Sequence, residues 1–258
     1  MIEPRSRLLR GIPLRAVTPN AVTALALCFG LTGVRFAIAE EWDKAVGAII
    51  VASVLDGLDG RIARLLKAQS RFGAELDSLS DVIAFGVSPA VILFLWSLHY
   101  VPKYGWVIAL AHAVCCALRL ARFNAMLDAG DNPRKAAGYF TGVPAPAGAA
   151  MALLPVMLWL ATDGWSVLRL TYVVAPWTVI VALLMISDLP TYGWGSFRLR
   201  RGMRLPLLLL VGLAGASVLT APWATLSVLV AAYVIAIPLA IRSYVRIRRQ
   251  RVSLNFPG

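Results

Sequence analysis

The sequence has little charge and few of the residues that usually bind transition metals. Charged residues make up 15% of the 258 residues, with two histidines and three cysteines. Cys28, Cys115 and Cys116 have no C-x-x-C spacing and lie in apolar runs, which indicates small buried side chains. His99 and His112 are isolated. The composition therefore argues against a zinc centre or a disulfide framework.

Apolar residues are in excess. The chain is 59% hydrophobic and has a mean hydropathy of +0.75, whereas a soluble domain averages about 45–50% apolar and about 25% charged residues. The excess lies in runs that approach the roughly 20 residues needed to cross a bilayer. We therefore predict an all-α, polytopic membrane helix bundle with about eight transmembrane helices. The predicted spans are 19–39, 45–66, 75–98, 104–124, 143–161, 168–187, 204–220 and 223–241.

The net charge of +12 is explained by membrane topology. All 25 lysines and arginines except Arg35, Lys44, Lys103 and Arg169 fall at alternate connections between spans. The positive-inside rule then predicts that both termini and the connection between the second and third spans are cytoplasmic. Such charge also suits anionic lipid head groups. We expect membrane lipids as partners, no nucleic acid, and an integral protein of a bacterial inner membrane.

Four aspartates interrupt this apolar sequence. Asp56 and Asp59 are three residues apart, and Asp77 and Asp81 are four apart, so on helices each pair shares a face. Two antiparallel helices joined by the short connection 67–72 would bring all four carboxylates together. Carboxylates at membrane depth are costly and repel one another unless cations neutralise them. Such oxygen ligands suit Mg²⁺, Mn²⁺ or Ca²⁺, and we predict a metal site.

Small and basic residues surround the aspartates. Gly60, Ala63 and Gly73 leave room for a ligand to lie against the helices, and Arg64 offers a planar fork to phosphate. Together with a divalent metal, these residues predict a site for pyrophosphate. Taken one at a time, Gly60, Ala63 and Gly73 would instead indicate close packing between helices. A divalent-cation transporter is the alternative of another class. A transporter would need carboxylates along a path through the membrane. Here they cluster at the ends of two spans beside the positively charged Arg64, which disfavours passage of a cation.

The spacing D-x2-D-G-x2-A-R-x8-G-x3-D-x3-D from Asp56 to Asp81 resembles the complete signature of the CDP-alcohol phosphatidyltransferase family. The resemblance implies a homodimer and a core of six membrane helices that transfers a phosphatidyl group from a CDP-linked lipid to an alcohol. It also implies that Asp56, Asp59 and Asp77 bind metal. Asp81 would share metal binding or act as the base. The residues contacting the CDP-lipid would be Asp56, Gly60, Ala63, Arg64 and Gly73.

The expected reaction uses two divalent ions, Mg²⁺ or Mn²⁺, to bridge the pyrophosphate and stabilise the leaving CMP. Further segments resemble the branch of the family whose acceptor is L-serine, with CDP-diacylglycerol as donor. Ala84 departs from that branch, where serine is expected. Glycerol phosphate, inositol phosphate and choline are the alternative acceptors. The segments carrying this resemblance are 77–90, 118–124, 140–147 and 189–192.

The carboxylate of a serine acceptor needs a cation. Arg119 and Arg122 are three residues apart, on one helix face and on the same membrane side as the aspartates. We predict that one of them, with Asn124 nearby, engages serine or the lipid phosphate. The alternative is that both are positive-inside anchors. Thr141 is predicted to contact ligand or to cap the helix that follows it.

We divide the chain into three parts. Residues 1–18 form a basic interfacial segment, 19–190 the catalytic core, and 191–258 two extra membrane helices with a basic cytoplasmic tail. The last two predicted spans carry no charge apart from Arg204 at the start of the first of them. We therefore expect them to be structural or to form a dimer interface, without chemistry of their own.

Overall fold

The structure is a computed structural model that describes residues 14–68, 70–128, 139–192 and 204–255. It is an all-α bundle, with two three-residue strands, β1 (Tyr139–Thr141) and β2 (Pro190–Tyr192), that pair antiparallel. The helices are α1 (Leu14–Ile38), α2 (Trp42–Leu65), α3 (Arg71–Asp81), α4 (Ser88–Trp96), α5 (Pro102–Asp128), α6 (Ala145–Ala152), α7 (Leu154–Ala161), α8 (Thr171–Ile186), α9 (Arg204–Thr220) and α10 (Pro222–Asn255).

Each predicted span corresponds to a helix or to consecutive helices. Among the described residues, four segments are long and apolar enough to cross a membrane, so the chain is an integral membrane protein. α2 has a similar length but carries charge near its end, and α8 and the apolar part of α9 are shorter. The four segments are Val17–Ile38, Arg71–Trp96, Lys103–Met126 and Pro222–Ser243.

The helix that contains Asp77 and Asp81 is irregular in its middle. Residues Val82–Val87 form a π-helical turn between α3 and α4, and such turns occur frequently at functional sites. The turn begins directly after Asp81. It brings Phe85 into the core, where the carbonyl oxygen of Phe85 lies 3.4 Å from Nε2 of the buried His112.

The core is formed where α1, α2, α4 and α5 surround this π-helical turn. α1 runs along α2 and also contacts α3 and α4, while α5 packs on α8. Gly30 lets α1 approach the π-helical turn closely, since a Cβ atom there would lie 2.8 Å from Ala84 Cα. The largest fully buried side chains include Trp96, Phe85, Ile49, Ile92 and Leu93.

The C-terminal helix α10 packs on the rest of the bundle, with contacts to α6, α7 and β2. Helix α9 packs mainly on α10 and exposes an apolar face that includes Leu208 and Leu213. The predicted basic tail continues α10 as helix to Asn255. Most of the predicted interfacial segment, residues 1–13, lies outside the described residues.

The predicted burial of the cysteines is correct for Cys116 and wrong for Cys28, which is exposed on α1; Cys115 is half-buried. An apolar neighbourhood in the sequence does not distinguish the inward from the outward face of a membrane helix, because lipid-facing positions are apolar too.

Replacing Gly30 with alanine is expected to destabilise the protein, because the new methyl group would overlap Ala84 in a packed contact. We expect a loss of about 1–3 kcal/mol and a lower midpoint of thermal unfolding in detergent, measured by circular dichroism. Gly212→Ala is the matched control, since a Cβ atom there meets nothing within 4 Å. Equal midpoints for the two variants would contradict this packing.

Candidate active site

The four aspartates lie on α2 and α3, on either side of the connection between these helices. A short connection separates these helices, as predicted, and Ser70 caps α3 by accepting a hydrogen bond from the Gly73 amide at 3.0 Å. An N-cap of this kind satisfies an otherwise unpaired amide and fixes the start of the helix. The cap therefore holds the first turns of α3 beside the end of α2.

Three of the carboxylates form one cluster. Oxygen atoms of Asp56, Asp59 and Asp77 all lie within 4.8 Å of one another. Asp59 is buried and the other two are half-buried. The carboxyl group of Asp81, one turn beyond Asp77, lies close to that of Asp56.

The chemistry of this donor set fits a hard divalent cation. Carboxylates at such short range repel strongly in a poorly solvated site, and positive charge placed between them removes that repulsion. The cluster offers only carboxylate oxygen atoms as ligands, which is the donor type that Mg²⁺, Mn²⁺ and Ca²⁺ prefer. Asp56, Asp59 and Asp77 are therefore arranged as a divalent-metal site.

A threonine that the sequence did not identify supports the cluster. The hydroxyl of Thr23, buried on α1, lies 2.6 Å from Asp59 Oδ2 and 3.1 Å from the Pro19 carbonyl oxygen. Its own carbonyl oxygen accepts a hydrogen bond from the Ser80 hydroxyl at 3.3 Å. Thr23 thus ties α1 to the metal-site helices. Its only signal in the sequence is a polar residue at the start of an apolar run.

A cavity of about 650 Å³ opens beside Asp59 and Asp77. Gly60 faces open space, since a Cβ atom there would meet nothing within 4 Å, whereas a Cβ atom on Gly73 would lie 2.8 Å from Asn20 Oδ1. Gly60 therefore leaves space in the cavity, whereas Gly73 is packed closely against Asn20. Its lining includes Gly60, Ala63, Arg64, Gly73, Asn20 and Phe123.

Arg64 is held at the rim of this cavity. Its Nε donates a hydrogen bond to the Gly60 carbonyl oxygen at 3.0 Å, and the side chain is exposed. The guanidinium group therefore has donors left for an anion entering the cavity. The four residues predicted to contact CDP besides Asp56, namely Gly60, Ala63, Arg64 and Gly73, all line this one space.

The two predicted acceptor arginines have different surroundings. Arg122 donates to the Ile186 carbonyl oxygen at 3.1 Å and forms an ion pair with Asp188. Arg119 is half-buried and interacts electrostatically with Asp56 and Asp81. Its Nε is buried without a hydrogen-bond partner among the described residues.

The other two predicted acceptor residues are Asn124 on α5 and Thr141 on β1. Asn124 donates from Nδ2 to the Ser78 hydroxyl at 2.8 Å, which connects α5 to the aspartate helix. Thr141 lies in β1 opposite Pro190, and its ligand contact stays a prediction. The helix after it, α6, has Pro144 at its N-cap.

Comparison with known proteins places the chain in a family. Residues 16–189 match the family model described as CDP-alcohol phosphatidyltransferase, and residues 202–238 match one described as CDP-alcohol phosphatidyltransferase 2. The chain belongs to the CDP-alcohol phosphatidyltransferase family and is a transferase. The predicted family is confirmed, and nothing in the comparisons supports the cation-transporter alternative.

Several relatives are curated as CDP-diacylglycerol–serine O-phosphatidyltransferases. The Mycobacterium bovis protein is 40% identical over 244 residues, covering 93% of this chain and 82% of its own. The Mycobacterium leprae protein is 38% identical over 243 residues, with 93% and 79% coverage. A relative from Methanocaldococcus jannaschii is 35% identical over 169 residues, with 65% and 70% coverage.

Thr23→Val is expected to weaken metal binding, because it removes the hydrogen bond that orients Asp59. Losing an outer partner of a metal ligand typically costs about 10- to 100-fold in affinity, and Mn²⁺ titration followed by electron paramagnetic resonance measures this loss. Thr32→Val is the matched control: Thr32 lies on the same helix and its hydroxyl bonds only the Cys28 carbonyl oxygen. Equal Mn²⁺ affinity in the two variants would contradict the orienting role.

Proposed function

We propose that this enzyme transfers the phosphatidyl group of CDP-diacylglycerol to the hydroxyl of L-serine, which gives phosphatidylserine and CMP. The observation that carries the proposal is that Asp56, Asp59 and Asp77 form one cluster beside a cavity whose lining includes Gly60, Ala63, Arg64 and Gly73 of the signature. The names of the curated relatives support CDP-diacylglycerol and serine as the two substrates.

Asp56, Asp59 and Asp77 would hold two divalent ions, Mg²⁺ or Mn²⁺, with Asp81 at the edge of the same group. When bound, the ions neutralise the pyrophosphate and stabilise charge on the departing CMP. The cavity beside them would take the CDP part of the lipid. There Gly60 leaves space for it, and Arg64 donates to its phosphate from the rim.

Asp81 is the proposed general base. It takes the proton of the serine hydroxyl, and the hydroxyl oxygen forms a bond to the phosphorus atom that carries diacylglycerol. The bond from that phosphorus to the CMP oxygen breaks, and CMP leaves with the electron pair. On α3, Asp81 lies one turn beyond Asp77 and, unlike Asp77, does not line the nucleotide cavity, which suits a residue that meets the acceptor rather than the nucleotide.

Arg119 is the better candidate for the carboxylate of serine. Arg122 already has a carboxylate and a carbonyl oxygen as partners, whereas Arg119 lies beside Asp81 and has an unpaired donor. A single arginine matches a singly charged carboxylate. A phosphorylated acceptor such as glycerol phosphate or inositol phosphate carries more negative charge, and a further basic side chain would be needed to bind its phosphate.

The distribution of positive charge supports an active site and termini on the cytoplasmic side of a bacterial inner membrane. Membrane lipids and a second copy of the chain are the expected partners, as in the family that the sequence resembles. The apolar face of α9 suits contact with either.

Asp81→Asn is expected to lower turnover by at least about 10²-fold, because a general base contributes about 10²–10⁴-fold. CMP release from CDP-diacylglycerol and serine measures turnover, and direct titration measures binding of CDP-diacylglycerol, which we expect to survive. Glu75→Gln, an exposed residue of the same helix, is the control. Nucleotide-lipid binding that falls in parallel with turnover would count against the base assignment.

Arg119→Ala is expected to raise the apparent KM for serine about tenfold to hundredfold, since a hydrogen bond to a charged group contributes about 1.5–3 kcal/mol. Arg122→Ala is expected to leave this KM near that of the parent and to lower thermal stability, because Arg122 ties α5 to the end of α8. Steady-state titration with serine measures both. If neither variant changes the KM for serine, the acceptor pocket lies elsewhere.

A further inference from the structure

Two neighbouring side chains each carry a buried polar atom that has no hydrogen-bond partner in the part of the chain that the structure describes. One is Arg119 Nε, and the other is the hydroxyl oxygen of Tyr233. The two side chains interact electrostatically, and Arg119 interacts in the same way with Asp81. Buried polar groups are normally paired, so adjacent unpaired donors indicate a place for an acceptor that belongs to a ligand.

Tyr233 comes from α10, the helix to which the sequence assigned no chemistry. α10 packs on β2 and on α6 and α7, so the backbone of Tyr233 is held by contacts on several sides. The ring is half-buried. Tyr233 lies outside the Asp-containing signature, but the fold brings it to Arg119, which interacts with Asp81.

The polar neighbour of Tyr233 on β2 is already engaged. Thr191 is buried, and its hydroxyl donates a hydrogen bond to the Gly142 carbonyl oxygen at 2.8 Å. That bond holds the turn before α6, where Gly142 has a φ of 71°. Thr191 lies beside Tyr233, but no described residue completes a hydrogen bond of normal geometry with the tyrosine hydroxyl.

We propose that Tyr233 is a specificity-determining residue of the acceptor pocket, where its hydroxyl and the Arg119 guanidinium together donate to the carboxylate of the amino-acid acceptor. This proposal rests on the proposed function. A cation and a neutral hydroxyl present a positive, donor-rich surface that matches one carboxylate. Arg119 interacts with both Tyr233 and Asp81, so the proposed carboxylate site is near the proposed base.

An acceptor that lacks the carboxylate would gain nothing from this pair. Choline lacks a carboxylate, and in serinol a hydroxymethyl group replaces the carboxylate of serine. Either acceptor would leave the buried Arg119 Nε and the Tyr233 hydroxyl without a carboxylate to accept from them. Unpaired buried donors are costly, so the pair selects for the carboxylate by penalising its absence as well as by binding it.

The test is Tyr233→Phe in the full-length enzyme in detergent, with CDP-diacylglycerol, Mn²⁺ and either serine or serinol as acceptor. We expect the KM for serine to rise about tenfold, while the KM for CDP-diacylglycerol and the thermal midpoint stay near those of the parent. The ratio of kcat/KM for serine to that for serinol falls by the same factor. Tyr172→Phe, at an exposed tyrosine of α8, is the control and leaves all of these values unchanged.

An unchanged KM for serine in Tyr233→Phe overturns the proposal. So does a parallel rise in both KM values with a lower thermal midpoint, because that pattern reports loss of packing. Serinol used as well as serine by the parent enzyme also overturns the proposal, without any variant. CMP release with serine in the parent enzyme tests the proposed function separately, so a failure of Tyr233 and a failure of the reaction are distinguishable.

Discussion

The structure depends on the cost of holding carboxylates close together in a membrane protein. Oxygen atoms of Asp56, Asp59 and Asp77 lie within 4.8 Å of one another, and carboxylates this close repel unless cations neutralise them. Neighbouring groups reduce this repulsion. Thr23 donates to Asp59, Arg119 places a positive charge near Asp56 and Asp81, and the oxygen-only donor set leaves room for hard cations to supply the rest.

The same constraint explains why the site lies at one end of the bundle. Farther along α2 and α4 the inward positions are filled by Ile49, Ile92 and Trp96, which leave no space for ions or water. At the connection between α2 and α3 the helices diverge around a cavity lined by small residues. A charged pyrophosphate can enter there from the surface while the acyl chains of the same lipid stay in the bilayer.

Much of this arrangement could be predicted from the sequence, because helix periodicity alone places Asp56 on one face with Asp59, and Asp77 on one face with Asp81. The spans followed from apolar runs, and the family from the spacing of the signature. Thr23 and Tyr233 could not be found in this way. Both reach the site through contacts between helices distant in sequence, and local pattern carries no information about which face of α1 or α10 turns inward.

The π-helical turn at Val82–Val87 affects the direction in which the residues before it and after it face around the helix axis. A residue added within a helix advances everything after it by about 100°, so this wider turn sets the angular offset between the aspartate face of α3 and the apolar face of α4. Because a π-helical turn holds one residue more than an α-helical turn, it keeps the aspartate face of α3 and the apolar face of α4 directed to the same side of the helix. Deleting a single residue within Val82–Val87 would therefore return this segment to a regular helix, whereas deleting one within α3 or α4 would rotate one face away from the other.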